Sequence, residues 1–295
     1  MATIRQLRRR IQSVRNTARI THALELVAAS KMRRAQERAL EGRPYAEKLE
    51  SVLAGLAGVL SRTQALETLH PLLQRREEVR TVGVLHITPD RGLCGGLNAN
   101  LNRSAGMFVA SLEQPPAIIA VGKKGRDFFI RAHQNVVAEF TELGDYPSQL
   151  DTLPIARLII DDYLAGVVDR VYISYARFIN TVTQRPVVQQ LLPIEPPEAL
   201  GEEAAEQFRL DYIFEPSPKA VFERLLPRYV EMLIYHAVLE SAASEQSARM
   251  VAMKNATDNA NELVRELTLT YNKARQEQIT KELLDIVGGA AAIQK

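Results

Sequence analysis

Several stretches of this sequence hold residue types that could do chemistry. The first is Arg91-Gly92-Leu93-Cys94-Gly95-Gly96-Leu97-Asn98. A glycine-rich loop between a strand and a helix can cradle phosphate at the helix N-terminus. The spacing departs from G-x-G-x-x-G, no Walker Gly-x4-Gly-Lys-Ser/Thr is present, and Gly122-Lys123-Lys124-Gly125 fails the same pattern. A tight strand-to-helix turn with close packing accounts for the same residues. Cys94 would be a nucleophile only with a base beside it. His86 is near in sequence but lies on the preceding strand, so a small packed thiol is the simpler account. The paired acids Asp161-Asp162 and Glu202-Glu203 read as solvated surface. His22, His70, His86, His133 and His236 are scattered without metal-ligand spacing. No Ser-His-Asp set and no pair of poised carboxylates occurs. The residues describe no convincing active site, and neither a cofactor nor a metal is expected.

Composition narrows the class. With 295 residues, 46% apolar and 24% charged, the chain is long enough for one or two domains with a real core. No run approaches eighteen uncharged apolar residues, so no direct membrane span is expected. The first residues lack the apolar block of a secretory signal. A single cysteine excludes an intrachain disulfide and makes a reducing compartment the default.

The net charge of +2 hides an asymmetry. Residues 1–40 carry ten Lys or Arg against two acids, a net of +8, which leaves −6 for the remainder. The basic positions are Arg5, Arg8, Arg9, Arg10, Arg15, Arg19, Lys31, Arg33, Arg34 and Arg38. Three readings compete: a mitochondrial presequence, a nucleic-acid-binding helix, or the outer face of a coiled coil opposite an acidic partner. The first conflicts with any structural need for this helix. The second is weakened by the lack of an aromatic residue before Tyr45.

The elements that must position these residues are set by periodicity. Tyr229, Met232, His236, Leu239, Ala243, Gln246, Met250, Met253, Thr257, Ala260, Val264, Leu267, Tyr271 and Ala274 step by three and four, and eleven of the fourteen are apolar. This is a coiled-coil seam. A helix from near Lys219 to Val287 would be roughly 100 Å long. Pro227 is expected to restart it near Arg228, since an interior proline costs about 3 kcal/mol. The N-terminal segment, Ile4 to about Ser61, repeats the pattern at Leu7, Ile11, Val14 and Ala18, with Ile20, Leu24 and Val27 continuing on a shifted face. Gly42 and Pro44 are expected to kink or interrupt it. Each seam needs a partner, so the two ends are predicted to pair antiparallel.

Between them the period changes. Val79–Ile87, Ala117–Val121, Val136–Phe140 and Val171–Tyr175 are β-branched runs, with Val187–Leu192 weaker; helical stretches near Asn98–Leu112, Lys123–His133 and Gln149–Val167 separate them. The predicted class is α plus α/β, a long antiparallel coiled coil with an inserted small Rossmann-like domain and a mostly parallel sheet. The expected division is 1–61 helix, 62–77 linker, 78–192 α/β domain, 193–218 linker and 219–295 helix. The C-terminal stretch Ile286-Val287-Gly288-Gly289-Ala290-Ala291-Ala292-Ile293 is uncharged and reads equally as a frayed tail or as a smooth apolar tip for a partner cavity.

Three segments together resemble the gamma subunit of F-type ATP synthase. They are Arg10-Ile11-Gln12-Ser13-Val14-Arg15-Asn16-Thr17 through Ala28-Ala29-Ser30-Lys31-Met32-Arg33-Arg34-Ala35, then Asp90 to Asn98, then Ser244-Glu245-Gln246-Ser247-Ala248-Arg249-Met250 with Leu269-Thr270-Tyr271-Asn272-Lys273-Ala274-Arg275-Gln276 and Ile286 to Ala290. The resemblance implies a non-catalytic rotor shaft inside a ring of alpha and beta subunits, driven by the c-ring and flanked by an epsilon subunit. It implies ring contacts at Lys31, Arg33, Arg34, Arg275, Gln276, Thr280 and Glu282. Tyr212 and Glu215 would meet the c-ring, and Ile286, Val287, Gly288, Gly289 and Ala290 would form the bearing tip. Met250, Met253, Val264, Leu267 and Tyr271 would face Leu7, Ile11 and Val14 in the seam. Arg249 would lie near the N-terminal helix. Nucleic acid is the competing partner class.

The sequence departs from many relatives at His22, Leu24 and Leu26, where Lys, Met and Met are usual. Leu24 keeps its position apolar, while His22 removes a permanent charge. The family motif begins almost at Met1, which leads to the expectation of a bacterial protein, peripheral on the cytoplasmic face of the plasma membrane.

Overall fold

A computed structural model describes residues 3–61, 70–195, 215 and 217–293. Helix α1 spans Ile4–Ser61. A 3-10 turn at Pro71–Leu73 leads into β1 (Val82–Ile87), α2 (Leu97–Ala110), β2 (Pro116–Val121), α3 (Lys123–Arg131), β3 (Val136–Phe140), α4 (Gln149–Leu164), β4 (Arg170–Phe178) and β5 (Gln184–Leu192). Helix α5 spans Pro218–Ile293, 76 residues. The chain divides into two compact units, Met1–Ala28 with Arg249–Lys295, and Ala29–Ala248.

In the first unit the two ends of the chain pack together. Leu7, Ile11, Ala18 and Ala28 from α1 are buried, as are Met253 and Ala260 from α5. Val14, Met250, Val264, Leu267 and Tyr271 are half-buried in the same seam. The shifted stripe expected on α1 is not the seam, because Ile20 and Val27 are more than half exposed. The three-and-four step runs instead through Thr21, whose hydroxyl lies 2.7 Å from that of Thr257. Whichever hydroxyl donates across the seam, the other can donate to its own helix, at Ala18 or at Met253. A polar residue therefore fills a seam position at little cost, because its hydrogen bond is made.

The second unit is layered around a five-stranded sheet of order β3-β2-β1-β4-β5. Four strands are parallel, and β5 pairs antiparallel with β4 at the edge. Pro186 sits in that edge strand, where a missing donor is tolerated. One face of the sheet, including Leu85 and Ile87, joins the main core with Leu53 and Leu56 of α1, Ile155 and Ile159 of α4, and Phe222 and Val230 of α5. The opposite face, including Val82 and Val84, packs on Ala105, Val109 and Phe129 of α2 and α3. The alternation along β1 follows from its period of two.

The expected restart at Pro227 fails, since helix α5 runs through it, and Gly42 and Pro44 do not interrupt α1, which continues to Ser61. Near Pro227 the reason is burial: Phe222, Leu226 and Val230 are at most 1% exposed, and these three side chains offset the lost backbone bond. Gly42 has a packing role, since a Cβ there would lie 3.4 Å from the His236 ring.

Candidate functional site

In doubly wound sheets ligands bind outside the carboxyl ends of the strands. That position is occupied here by the chain's own helix. Ile87, Thr88, Val121 and Phe140, at the strand ends, face Val238, Ser241, Ala242 and Glu245 of α5 across a remnant of about 60 Å³. Small-ligand pockets run from about 300 to 1,000 Å³. The helix docks through a run of serines at three-residue spacing. The Ala176 amide donates to Ser241 Oγ at 3.4 Å, Ser244 Oγ donates to the Ala176 carbonyl at 3.0 Å, and Ser247 Oγ donates to the Thr181 carbonyl at 2.7 Å. All three serines are buried. Their signal in the sequence is a serine at every third position from 241 to 247, and seam counting passes over it.

Asp90, which opens the glycine-rich loop, stitches the neighbouring loops together. Its carboxylate accepts from the Lys123 amide at the start of α3 and from the Glu142 amide beyond β3, both at 2.9 Å. The loop then turns tightly, with Leu93 at φ 64° and Gly95 at φ 58°. Gly122 and Gly125 serve close approach to Thr88 rather than phosphate: a Cβ on Gly122 would lie 1.9 Å from the Thr88 carbonyl oxygen.

Cys94 is 1% exposed, packed with Leu97, Leu101 and Ala176. His86 is fully committed elsewhere. Its Nδ1 lies 3.1 Å from Ser174 Oγ and its Nε2 lies 3.0 Å from Asn102 Oδ1. Because the Asn102 amide nitrogen donates to the Lys124 carbonyl, Oδ1 is the acceptor and the proton belongs on Nε2. No ring nitrogen remains to activate a thiol. Burial pushes the His86 pKa from 6.5 down to about 4, against a smaller upward pull from Asn102. Unfolding therefore lets this ring take up a proton between those values, so its contribution is full above pH 6.5 and is lost as pH falls toward about 4. The loss amounts to about 3 kcal/mol. His86→Gln should flatten that segment of the pH profile when urea unfolding is compared at about pH 7.5 and about pH 4.5. An unchanged acid sensitivity would contradict the assignment.

Asp162 is less solvated than its sequence context implied. Burial, then the neighbouring Asp161, raises its pKa. Glu202 and Glu203 lie outside the described residues. Among the described residues no group of three or more His, Cys, Asp or Glu is placed to hold a metal, and no helix is long and apolar enough to cross a membrane.

The basic residues of α1 fall into two sets within the second unit. Lys31 Nζ pairs with Asp145 at 2.7 Å, in the loop before α4. Arg34 donates to the Tyr146 hydroxyl at 3.2 Å, and Arg38 lies over the same ring at 4.9 Å. Arg33 instead stands outward, 82% exposed, paired along the helix with Glu37. Neither Asp145 nor Tyr146 stands out in the sequence. In the first unit every described side chain from 275 to 287 is exposed. That stretch includes Arg275, Gln276, Thr280 and Glu282. It also includes Ile279, Leu283, Leu284, Ile286 and Val287, which are 45–67% exposed. Glu215 is exposed, Tyr212 lies outside the described residues, and Gly288, Gly289 and Ala290 continue the helix.

Comparison with known proteins decides among the readings. The family profile described as ATP synthase matches residues 3–293. A Dehalococcoides mccartyi protein named ATP synthase gamma chain is 58% identical, over 99% of this chain and 100% of the relative. The chain belongs to the ATP synthase gamma chain family. Other gamma chains, from Roseiflexus castenholzii and Chloroflexus aurantiacus, are 51% and 48% identical, each over 99% of this chain and 99% of the relative. The fold matches too. A chain of the Euglena gracilis mitochondrial ATP synthase, in an OSCP/F1/c-ring structure, superposes with a TM-score of 0.65 at 22% identity, covering 98% of this chain and 94% of that one. A rotor chain from the same source gives 0.63 at 21% identity, covering 94% and 98%. The gamma-family match gives the nucleic-acid alternative no support.

Proposed function

We propose that this chain is the central rotor shaft of an F-type ATP synthase, coupling proton flow through the membrane sector to ATP synthesis or hydrolysis at the beta subunits. The observation that carries this is a gamma-family chain whose two end helices pack together and whose α/β crevice is closed by its own helix. A chain with its ligand position filled is suited to transmit force rather than turn over substrate. The shaft acts by state-dependent contact. To move a beta site from 1:99 to 99:1 between two conformations, one shaft orientation must favour the second by about 5.5 kcal/mol relative to the other.

The division of labour follows the elements. Residues 1–61 and 219–295 serve as shaft, 78–192 as the foot beside an epsilon subunit, and 62–77 and 193–218 as linkers. Arg33, with its outward guanidinium, and the exposed Arg275, Gln276, Thr280 and Glu282 make ring contacts with alpha and beta subunits. Lys31 and Arg34 reach acidic loops of the ring only by sharing or releasing Asp145 and Tyr146. Glu215 and Tyr212 meet the c-ring, and the uncharged end from Ile286 through Ala290 turns in a bearing. The chain itself is non-catalytic, and its place is the cytoplasmic face of a bacterial plasma membrane.

The test is rotation. Cys94 is buried, so a Val182→Cys variant, at a position 75% exposed, offers one accessible thiol for a bead. Assembled with alpha and beta subunits fixed to a surface, the bead should turn in steps during ATP hydrolysis. A stationary bead with hydrolysis at the full rate would refute the rotor.

A further inference from the structure

The face of the α/β unit opposite α5 carries a groove between α2 and α3 of about 710 Å³. Its volume falls within the range of small-ligand sites. The floor is aromatic, formed by Phe128 and by Phe129, which is 1% exposed, while Met107 stands at the rim, 67% exposed. Gly106 lets Phe128 pack closely at the groove: a Cβ there would lie 3.1 Å from Phe128 Cζ, so the ring would have to shift by a few tenths of an ångström to admit one. One charged side chain lines the groove, Arg103. Unlike Arg76, which binds Asp169, or Arg126, which binds Asp127, Arg103 has no ion pair or hydrogen bond among the described residues.

An apolar trough with a lone guanidinium at its wall has a definite complement. We propose that this groove binds a medium-chain monocarboxylate, with its alkyl chain on Phe128 and Phe129 and its carboxylate on Arg103. A guanidinium takes a carboxylate through two parallel N–H···O bonds, which an alcohol cannot reproduce. The site lies on the sheet face away from the closed crevice and does not depend on the rotor reading.

Decanoate and decan-1-ol are the probes, titrated below micelle formation into the full chain with its methionine methyls labelled with carbon-13. Decanoate should shift the Met107 methyl saturably and bind at least about tenfold tighter than decanol. Arg103→Gln should erase that difference, with decanol binding unchanged. Gly106→Ala should weaken both probes by displacing the Phe128 ring. Circular dichroism identifies any variant that fails to fold, and Arg103 is an exposed position where folding should survive. Equal affinity for the two probes, decanoate affinity unchanged in Arg103→Gln, or shifts spread over the other methionines without saturation at Met107 would each overturn the proposal.

Discussion

Gly122→Ala is expected to cost the α/β unit about 4 kcal/mol or more, because two penalties coincide. The residue sits at φ +91°, and its Cβ would lie 1.9 Å from the Thr88 carbonyl oxygen, a backbone atom that cannot swing aside. The urea midpoint should fall steeply, or cooperative unfolding should be lost. Gly144→Ala supplies the internal control. Its φ is +82°, but nothing lies within 4 Å of the added carbon, so about 1–2 kcal/mol of backbone strain is the expected cost. Equal costs at the two positions would mean that the contact with Thr88 contributes nothing.

Met253→Asp should be comparably severe in the coiled-coil unit. Met253 is 5% exposed in the seam. An unpaired carboxylate there must ionise in a dry site or stay protonated, costing about 3–5 kcal/mol. Lys254→Asp, one residue away on the exposed side, reverses a charge yet should change stability by less than about 0.5 kcal/mol. The readout is urea unfolding followed by helical circular dichroism. If both variants unfold at the same urea concentration, the seam does not hold the ends together.

Much of this architecture was legible because two periods dominate the chain. The seam from Tyr229 to Ala274 is found buried or half-buried throughout, and β3 has the bounds its sequence indicates. Sequence pattern and structure part where local propensity competes with tertiary burial. Pro227 reads as a break, and Phe222, Leu226 and Val230 override it. Ile20 and Val27 read as a shifted apolar stripe yet stand exposed, while Thr21 takes the seam position by finding Thr257. The glycine-rich stretches were ambiguous for a different reason. A loop that admits phosphate and a loop that admits a neighbouring backbone need the same missing Cβ, and only the partner distinguishes them. Asp145 and Tyr146 illustrate the limit: a contact 114 residues from Lys31 leaves no trace in periodicity or spacing.

The serine run on α5 has a mechanical consequence. Ser241, Ser244 and Ser247 point from one side of a single helix, and their partners, Ala176 and Thr181, belong to β4 and the turn that follows it. Twisting the helix about its own axis would therefore strain every bond in the row at once rather than peel them off in turn. Bonds worth about 1 kcal/mol singly thus yield together under torque, as a key in a keyway does. Slip between this helix and its domain requires the whole row to shear, while small bending of the helix is shared among its members.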